Sequence, residues 1–157
     1  MIKIEQATAV QANMVGELGY RLEHELWDDP GSLPDRAFFI SAAQRLLQPN
    51  SGFLAWLATN DIGNAVGLMT LNRRTALYAG GAFGEIVELY VAPELRSSGL
   101  GRRLIETAVS FARAQQWPFL EVGAPSLPRW QRTVDFYLRQ GFRKIGPRLE
   151  LEIGEEA

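Results

Sequence analysis

The residues best suited to chemistry lie in one short segment, 96–103, which reads Arg-Ser-Ser-Gly-Leu-Gly-Arg-Arg. Apolar residues recur after it at helical spacing, so the segment forms the start of a helix. The first amides of a helix have no partner within it, and the helix dipole places positive charge there. A glycine-rich helix start can therefore hold a phosphate group, to which arginines add charge-assisted hydrogen bonds. The pattern predicts an anion site formed by Arg96, Ser97, Ser98, Gly99, Leu100, Gly101 and Arg102, with Arg103 beside it.

The spacing within this segment argues against two common nucleotide-binding motifs. No lysine follows the second glycine, as a nucleoside triphosphatase would require, and the glycines do not form the Gly-x-Gly-x-x-Gly pattern of nicotinamide enzymes. The alternative to a phosphate site is a flexible helix start that carries solvated arginines.

The elements around the segment predict an α+β chain. An apolar strand over 85–92 ends at Pro93, a helix begins near Gly99, and a strand follows over 119–122. A strand-helix-strand unit of this kind places its two strands parallel through a right-handed crossover. The remaining pattern predicts a strand over 2–5, helices from Val10 to Leu26 and from Phe38 to Leu47, a hairpin over 53–59 and 65–72, a loop over 78–84, a helix over 127–140 that ends at a left-handed Gly141, and strands over 142–145 and 149–153.

The composition predicts one ordinary globular domain, residues 1–157. The chain is 46% hydrophobic and 22% charged, and its net charge of −2 creates no field that would attract nucleic acid. It has no cysteine, no run of about 20 apolar residues and no signal-peptide pattern, from which we expect a cytoplasmic protein that binds no membrane. The single histidine, His24, is predicted to be a helix residue without a metal.

Two ordered motifs carry a resemblance to a known family. Residues 85–101, Glu-Ile-Val-Glu-Leu-Tyr-Val-Ala-Pro-Glu-Leu-Arg-Ser-Ser-Gly-Leu-Gly, resemble the central motif of the Gcn5-related N-acetyltransferase (GNAT) superfamily, and Phe-Tyr-Leu-Arg-Gln-Gly-Phe at 136–142 resembles its second signature. The resemblance implies a three-layer α+β fold with a mixed, mostly antiparallel sheet of about seven strands. It also implies a splayed parallel pair at the centre of the sheet and helices on both faces.

The resemblance further implies acetyl-CoA as co-substrate, without a metal. Backbone amides of the segment 96–102 would hold the coenzyme pyrophosphate, and Leu89, Tyr90 and Val91 would pair with the pantetheine arm at a β-bulge, which leaves backbone groups unpaired. Family members commonly carry an asparagine seven residues before the signature tyrosine, whereas this chain has Trp130, which we expect to pack against the coenzyme.

The same resemblance suggests catalytic residues. Tyr137 matches the tyrosine that often protonates the coenzyme A sulfur, and a phenol with a reference pKa of about 10 is protonated at neutral pH; the alternative is a core tyrosine. Glu88 interrupts an apolar run, where burial of a carboxylate costs free energy unless it has a partner or a function. It is our preferred base. Glu85 matches the base of the histone-acetylating branch and stays a second candidate, as does water.

The acceptor would be a primary amine of a small molecule or a peptide, bound near the first two helices. Carboxylates and aromatic rings are frequent in that region and are able to attract a cation, although a solvated helix face explains them as well; they are Glu17, Tyr20, Glu23, Glu25, Trp27, Asp28 and Asp29. The alternative function is a non-catalytic acetyl-CoA-binding sensor or interaction module. The sequence is also compatible with a homodimer of this chain.

Overall fold

The computed structural model describes residues 1–154, and five of its segments pair into one open sheet. The chain divides into two compact units, Met1–Val122 and Gly123–Ala157, which are described separately. The first unit contains β1 (Lys3–Gln6), α1 (Ala12–Leu26), α2 (Arg36–Leu46), β2 (Phe53–Thr59), β3 (Ala65–Ala76), β4 (Gly81–Val91), α3 (Leu100–Ala114) and β5 (Leu120–Val122), and the second contains α4 (Gln131–Arg139). None of the helices in residues 1–154 is long and apolar enough to cross a membrane.

The sheet has the order β1-β2-β3-β4-β5 and confirms the predicted mixed α+β fold. All neighbouring strands are antiparallel except β4 and β5, which are parallel and pair over three positions, from Gly84 with Leu120 to Ile86 with Val122. β4 continues to Val91, five residues beyond its last pairing with β5. The two parallel strands therefore share a short paired stretch, after which one edge of β4 has no strand beside it in the first unit.

The expected count of about seven strands is wrong for the described residues, which form five. The two missing strands were predicted over 142–145 and 149–153, where the structure has no regular backbone pairing. Leu149, Leu151 and Ile153 alternate as in a strand, but they are 95%, 83% and 85% exposed. Alternating apolar residues form a strand only where a neighbouring edge pairs with it and buries one face.

A β-bulge interrupts the pairing of β3 with β4. Leu71 pairs with Ile86 and Met69 pairs with Leu89, so two residues of β4, Val87 and Glu88, lie opposite Thr70 alone. The Glu88 amide donates to the Thr70 hydroxyl across the bulge (2.9 Å). A bulge of this kind bends the strand and changes which face the following residues occupy.

Helices on the two faces of the sheet hold β4 in place. α3 buries Leu100, Leu104, Ile105, Ala108 and Ala112, which recur every three or four residues and form its apolar face. A Cβ built at Gly67 of β3 would lie 3.4 Å from the Leu100 side chain, so α3 covers that face. The neighbouring β3 residue, Leu68, points to the other face with its partner Tyr90, which interacts with Arg21 of α1.

The second unit contains the helix α4 and its predicted stop. α4 spans Gln131–Arg139, shorter at both ends than the pattern predicted. Gly141 has φ +99°, the left-handed conformation that favours glycine after a helix, and this confirms the predicted C-terminal stop.

Candidate active site

The segment before α3 has the geometry of an anion site. Ser97 (φ +65°) and Gly99 (φ +90°) both adopt the left-handed conformation, so the chain turns sharply as it enters the helix. The Arg103 amide donates to the Gly99 carbonyl (3.1 Å). It is the first amide of α3 with an i to i−4 partner, so three amides before it are available to an anion: those of Leu100, Gly101 and Arg102. We refer to residues 96–102 as the cradle.

The arginines around the cradle differ in what their side chains contact. Arg96 binds both carboxylate oxygens of Glu25, and Arg103 donates to the Ile2 carbonyl (2.9 Å). Within the described part of the chain Arg102 pairs only with Glu106 in the next turn (2.9 Å), and both side chains are more than half exposed. An exposed pair of this kind contributes little to stability and is readily exchanged for another anion. Arg102 is therefore the cradle arginine best placed to reach a phosphate.

The end of β4 presents free backbone groups next to the cradle. The Ala92 amide donates to the Val66 carbonyl of β3 (2.9 Å). Because backbone hydrogen bonds alternate along an antiparallel pair, the amides and carbonyls of Leu89 and Val91 point away from β3, toward the edge that β5 leaves uncovered. One of these four groups, the Val91 carbonyl, accepts a hydrogen bond from Arg96 Nε (2.9 Å). Tyr90 directs its backbone toward β3 instead. An extended chain lying along this edge would pair with Leu89 and Val91, as an added strand does.

Glu88 lies at the bulge, one residue before this free edge. Its carboxylate accepts a hydrogen bond from the Thr70 hydroxyl, and Glu88 is partly buried. Burial, with a smaller contribution from the charge of Glu23 on α1, raises the pKa of Glu88 to about 7. A carboxyl group with such a pKa exchanges its proton near neutral pH, as a general base must.

Glu85 has a different environment. It is buried in the part of β4 that pairs with β5, and its carboxylate forms an ion pair with Arg74 (2.8 Å). On the neighbouring strand its register partner is Glu121, which accepts a hydrogen bond from Tyr78 (3.0 Å). The Arg74 guanidinium occupies the Glu85 carboxylate, so Glu85 has a clear structural role.

The candidate acid and the residue in the asparagine position both belong to the second unit. Tyr137 is buried on α4, where its ring lies 5.5 Å from that of Phe136 and 5.8 Å from that of Phe142. Burial raises the pKa of Tyr137 to about 12, so the phenol keeps its proton at neutral pH. Trp130 precedes the first residue of α4, and the Arg129 guanidinium lies 4.9 Å from the centre of its indole.

The carboxylates of α1 are not equally available. Glu17 pairs with Arg21 (3.0 Å) and Arg36 (2.8 Å), and Glu25 pairs with Arg96. Glu23 instead accepts a hydrogen bond from the Trp27 indole (2.7 Å), a neutral group, and its charge acts on Glu88. The sequence pointed to an acidic region but not to this one residue, nor to Thr70, whose role depends on the bulge.

A cleft elsewhere in the first unit does not belong to this site. A cleft of about 970 Å³ lies at the far end of α3, lined by residues that include Phe53, Phe111 and Trp117, and it contains no residue of the cradle. Among residues 1–154 no group of three or more histidine, aspartate or glutamate side chains has the arrangement of a metal site.

Comparison with known proteins agrees with this geometry. The model of the acetyltransferase (GNAT) family matches residues 19–142. Aminoalkylphosphonate N-acetyltransferase from Salmonella typhimurium (strain LT2) is 30% identical over 109 residues, which are 69% of this chain and 68% of that protein.

Solved structures share the fold at lower identity. An aminoglycoside acetyltransferase from an uncultured soil metagenomic sample superposes with a TM-score of 0.77 at 20% identity, over 98% of this chain and 99% of the other. Aminoglycoside N-acetyltransferase AAC(6')-Iy in complex with CoA gives 0.74 at 16% identity, over 98% and 95%. The family model covers both the cradle and the segment around Tyr137, and this chain belongs to the GNAT family of acetyltransferases.

Proposed function

We propose that this acetyltransferase transfers the acetyl group of acetyl-CoA directly to a primary amine of a small molecule or a peptide, with Glu88 as base and Tyr137 as acid. One observation carries the proposal. A carboxyl group whose pKa is raised to about 7 lies at a β-bulge, next to the free backbone groups of Leu89 and Val91. The structure thus brings a proton acceptor and a binding edge for an extended ligand to the same point of the sheet.

The coenzyme would lie along the cradle and the free edge. The unpaired amides at the start of α3 would bind the pyrophosphate, with Arg102 as an additional ligand. The pantetheine arm would extend along β4 and hydrogen-bond to Leu89 and Val91. The thioester would then lie close to Glu88. A solved structure of the same fold contains CoA, which supports a coenzyme of this type.

In the proposed reaction, Glu88 accepts a proton from the incoming ammonium group, whose reference pKa is about 10. The neutral nitrogen attacks the thioester carbonyl carbon and forms a tetrahedral intermediate. The carbon–sulfur bond then breaks as the phenol of Tyr137 protonates the thiolate. The nitrogen releases its second proton to solvent as the amide forms, and the Tyr137 phenolate takes up a proton from solvent. The Thr70 hydroxyl holds the Glu88 carboxylate through a hydrogen bond, so the base is positioned before the amine arrives.

For the acceptor we propose a small amine that carries positive charge. The Salmonella relative acetylates aminoalkylphosphonates according to its name, and proteins of the same fold acetylate aminoglycosides. Both classes contain primary amines. Glu23 supports a cationic acceptor, because its charge lies close enough to Glu88 to act on its pKa and no cationic side chain pairs with it among the described contacts of residues 1–154.

A thiol-release assay with acetyl-CoA tests the proposal. The panel should contain an aminoalkylphosphonate, an aminoglycoside, a linear polyamine and a peptide with a free N-terminus. Release of coenzyme A with at least one amine is the expected result. Binding of coenzyme A in calorimetry without release for any amine would identify a sensor module instead.

The acid role has its own test. We expect Tyr137→Phe to lower kcat by about a hundredfold, the lower end of the range for general acid catalysis, because the thiolate would leave without a proton. Coenzyme A affinity, measured by calorimetry, should change little, since the phenyl ring retains the packing against Phe136 and Phe142. Unchanged turnover across the pH range would show that Tyr137 is a core tyrosine.

A further inference from the structure

Arg96, the first residue of the cradle, is held by the protein on several sides. Its Nε donates to the Val91 carbonyl (2.9 Å), and its Nη2 lies 2.7 and 2.8 Å from the two carboxylate oxygens of Glu25. The guanidinium also lies 5.8 Å from the centre of the Tyr90 ring. These three contacts join the cradle, the end of β4 and the end of α1 in one cluster.

The partner of Arg96 belongs to the last turn of α1. Glu25 is the penultimate residue of that helix, whose C-terminal end carries partial negative charge. The positive charge of a guanidinium bound there stabilises the partial negative charge of the helix end as well as the carboxylate. Both side chains are partly shielded, with 45% exposed for Arg96 and 35% for Glu25. Nη2 alone contacts both carboxylate oxygens and Nε binds the Val91 carbonyl, so the guanidinium is held at two of its nitrogens.

We propose that Arg96 is a positioning residue that couples the coenzyme cradle to the acceptor helix α1, and that it does not bind a coenzyme phosphate. The inference rests on the proposed function for the identity of the two ligands. The contacts that would connect the two binding sites are few. Arg96 is the first residue of the cradle, it contacts the Val91 carbonyl at the edge of β4, and it binds Glu25, two residues from Glu23.

The coupling has a definite sign. Binding of coenzyme A orders the cradle and thereby fixes Arg96, Glu25 and the last turn of α1, where Glu23 acts on Glu88. An amine that binds Glu23 meets a helix end that is already ordered, so each ligand strengthens the binding of the other. Because coupling between two sites is reciprocal, loss of the Arg96–Glu25 pair weakens both ligands together.

The test compares Glu25→Gln, Arg96→Gln and the double variant. Calorimetry gives the dissociation constant for coenzyme A, and thiol release gives KM for the amine. We expect each single variant to raise both values by about three- to tenfold, as for a partly shielded, charge-assisted ion pair. The double variant should be no worse than either single one, because the second change removes nothing further. Equal losses for both residues with kcat nearly unchanged support the coupling.

Two further variants separate a positioning role from phosphate binding. Arg102→Gln should weaken coenzyme A but leave KM for the amine unchanged, since Glu106 is the only ion-pair partner of Arg102 among residues 1–154. Arg96→Lys keeps the charge but loses the Nε hydrogen bond to the Val91 carbonyl, so coupling predicts that it behaves like Arg96→Gln. Glu5→Gln removes an exposed ion pair with Lys3 and serves as the control.

Either of two results would overturn the inference. If Arg96→Lys binds coenzyme A like the wild type, or if Arg96→Gln weakens coenzyme A while Glu25→Gln does not, Arg96 is a phosphate ligand. Pantetheine, which lacks the phosphates, gives a second readout, because a positioning role weakens it as much as coenzyme A. The coenzyme measurements need no turnover, so they test the role of Arg96 even if every amine in the panel proves inactive.

Discussion

The substitution Glu88→Gln tests the central residue of the site in two independent ways. Glutamine has nearly the same shape as glutamate, and its amide oxygen can accept the hydrogen bond from Thr70. The substitution therefore removes the titratable proton and the negative charge while the packing around the bulge is kept. We expect it to stabilise the protein at alkaline pH and to abolish the rise of activity with pH.

The stability effect follows from the raised pKa. Below pH 4.5 the carboxyl is protonated in both the folded and the unfolded chain, so it contributes no pH dependence. Between 4.5 and about 7 the unfolded chain releases the proton and the folded chain retains it, so stability falls as the pH rises. At about 1.4 kcal/mol for each pKa unit, the complete loss is about 3 kcal/mol, and it is reached above pH 7.

The assay is urea unfolding of the wild type and Glu88→Gln at pH 5 and pH 8. Groups that titrate in both proteins cancel in the difference between them. We expect the variant to gain about 2 kcal/mol more over the wild type at pH 8 than at pH 5, because part of the loss has already occurred at the lower pH. An equal difference at both pH values would refute the raised pKa of Glu88.

The activity of the same variant tests the role of the carboxylate. Wild-type kcat should rise with a midpoint near pH 7, as the ionised fraction of Glu88 increases. Glu88→Gln should lose that rise and about a hundredfold or more of kcat. In Glu85→Gln, which removes the partner of Arg74, the midpoint should stay near 7. If Glu88→Gln retains the midpoint, another group is the base.

Two glycine pairs give the remaining predictions. Gly99→Ala should weaken the affinity for coenzyme A in calorimetry by about fivefold or more, because a side chain at φ +90° strains the cradle by about 1 kcal/mol or more. Gly63→Ala introduces similar strain (φ +85°) in a distant turn, so it should lower stability but not the affinity for coenzyme A. Gly16→Ala should destabilise the fold by about 1–3 kcal/mol in thermal melts, since the new Cβ would lie 2.5 Å from the Ile40 Cα, whereas Gly19→Ala, with 3.6 Å of room, should stabilise it by up to about 1 kcal/mol. Equal effects within either pair would contradict the reasoning.

The sequence was most informative where local rules determine the structure. The start of α3 at Leu100 and the left-handed Gly141 follow from glycine at helix ends, and β2 has the predicted bounds Phe53–Thr59. The predicted loop over 78–84 is partly wrong, because β4 already begins at Gly81. Gly84 was part of the loop signal, but a Cβ there would lie 2.6 Å from the Leu120 side chain, so packing explains the glycine.

Contacts between residues that are far apart in the chain could not be predicted from the sequence. Arg96 and Glu25 are 71 positions apart, and nothing in either local pattern indicates that they meet. The same holds for Thr70, which contacts Glu88 only because β3 and β4 pair in one particular register. Two motifs therefore named the candidate residues of the site, whereas the contacts that set their protonation and orientation could not be predicted.

The bulge explains why the proposed base and the proposed binding edge occur at one place. Without it, the regular alternation of β4 would continue from Ile86, and Leu89 would direct its backbone groups toward β3. The extra residue reverses that alternation, so the groups of Leu89 and Val91 face the uncovered edge. It also places Glu88 beside the Thr70 hydroxyl, on the face that α1 covers with Glu23. A deletion that restores regular pairing would therefore remove both the binding edge and the environment of the base, so neither is expected to persist without the other.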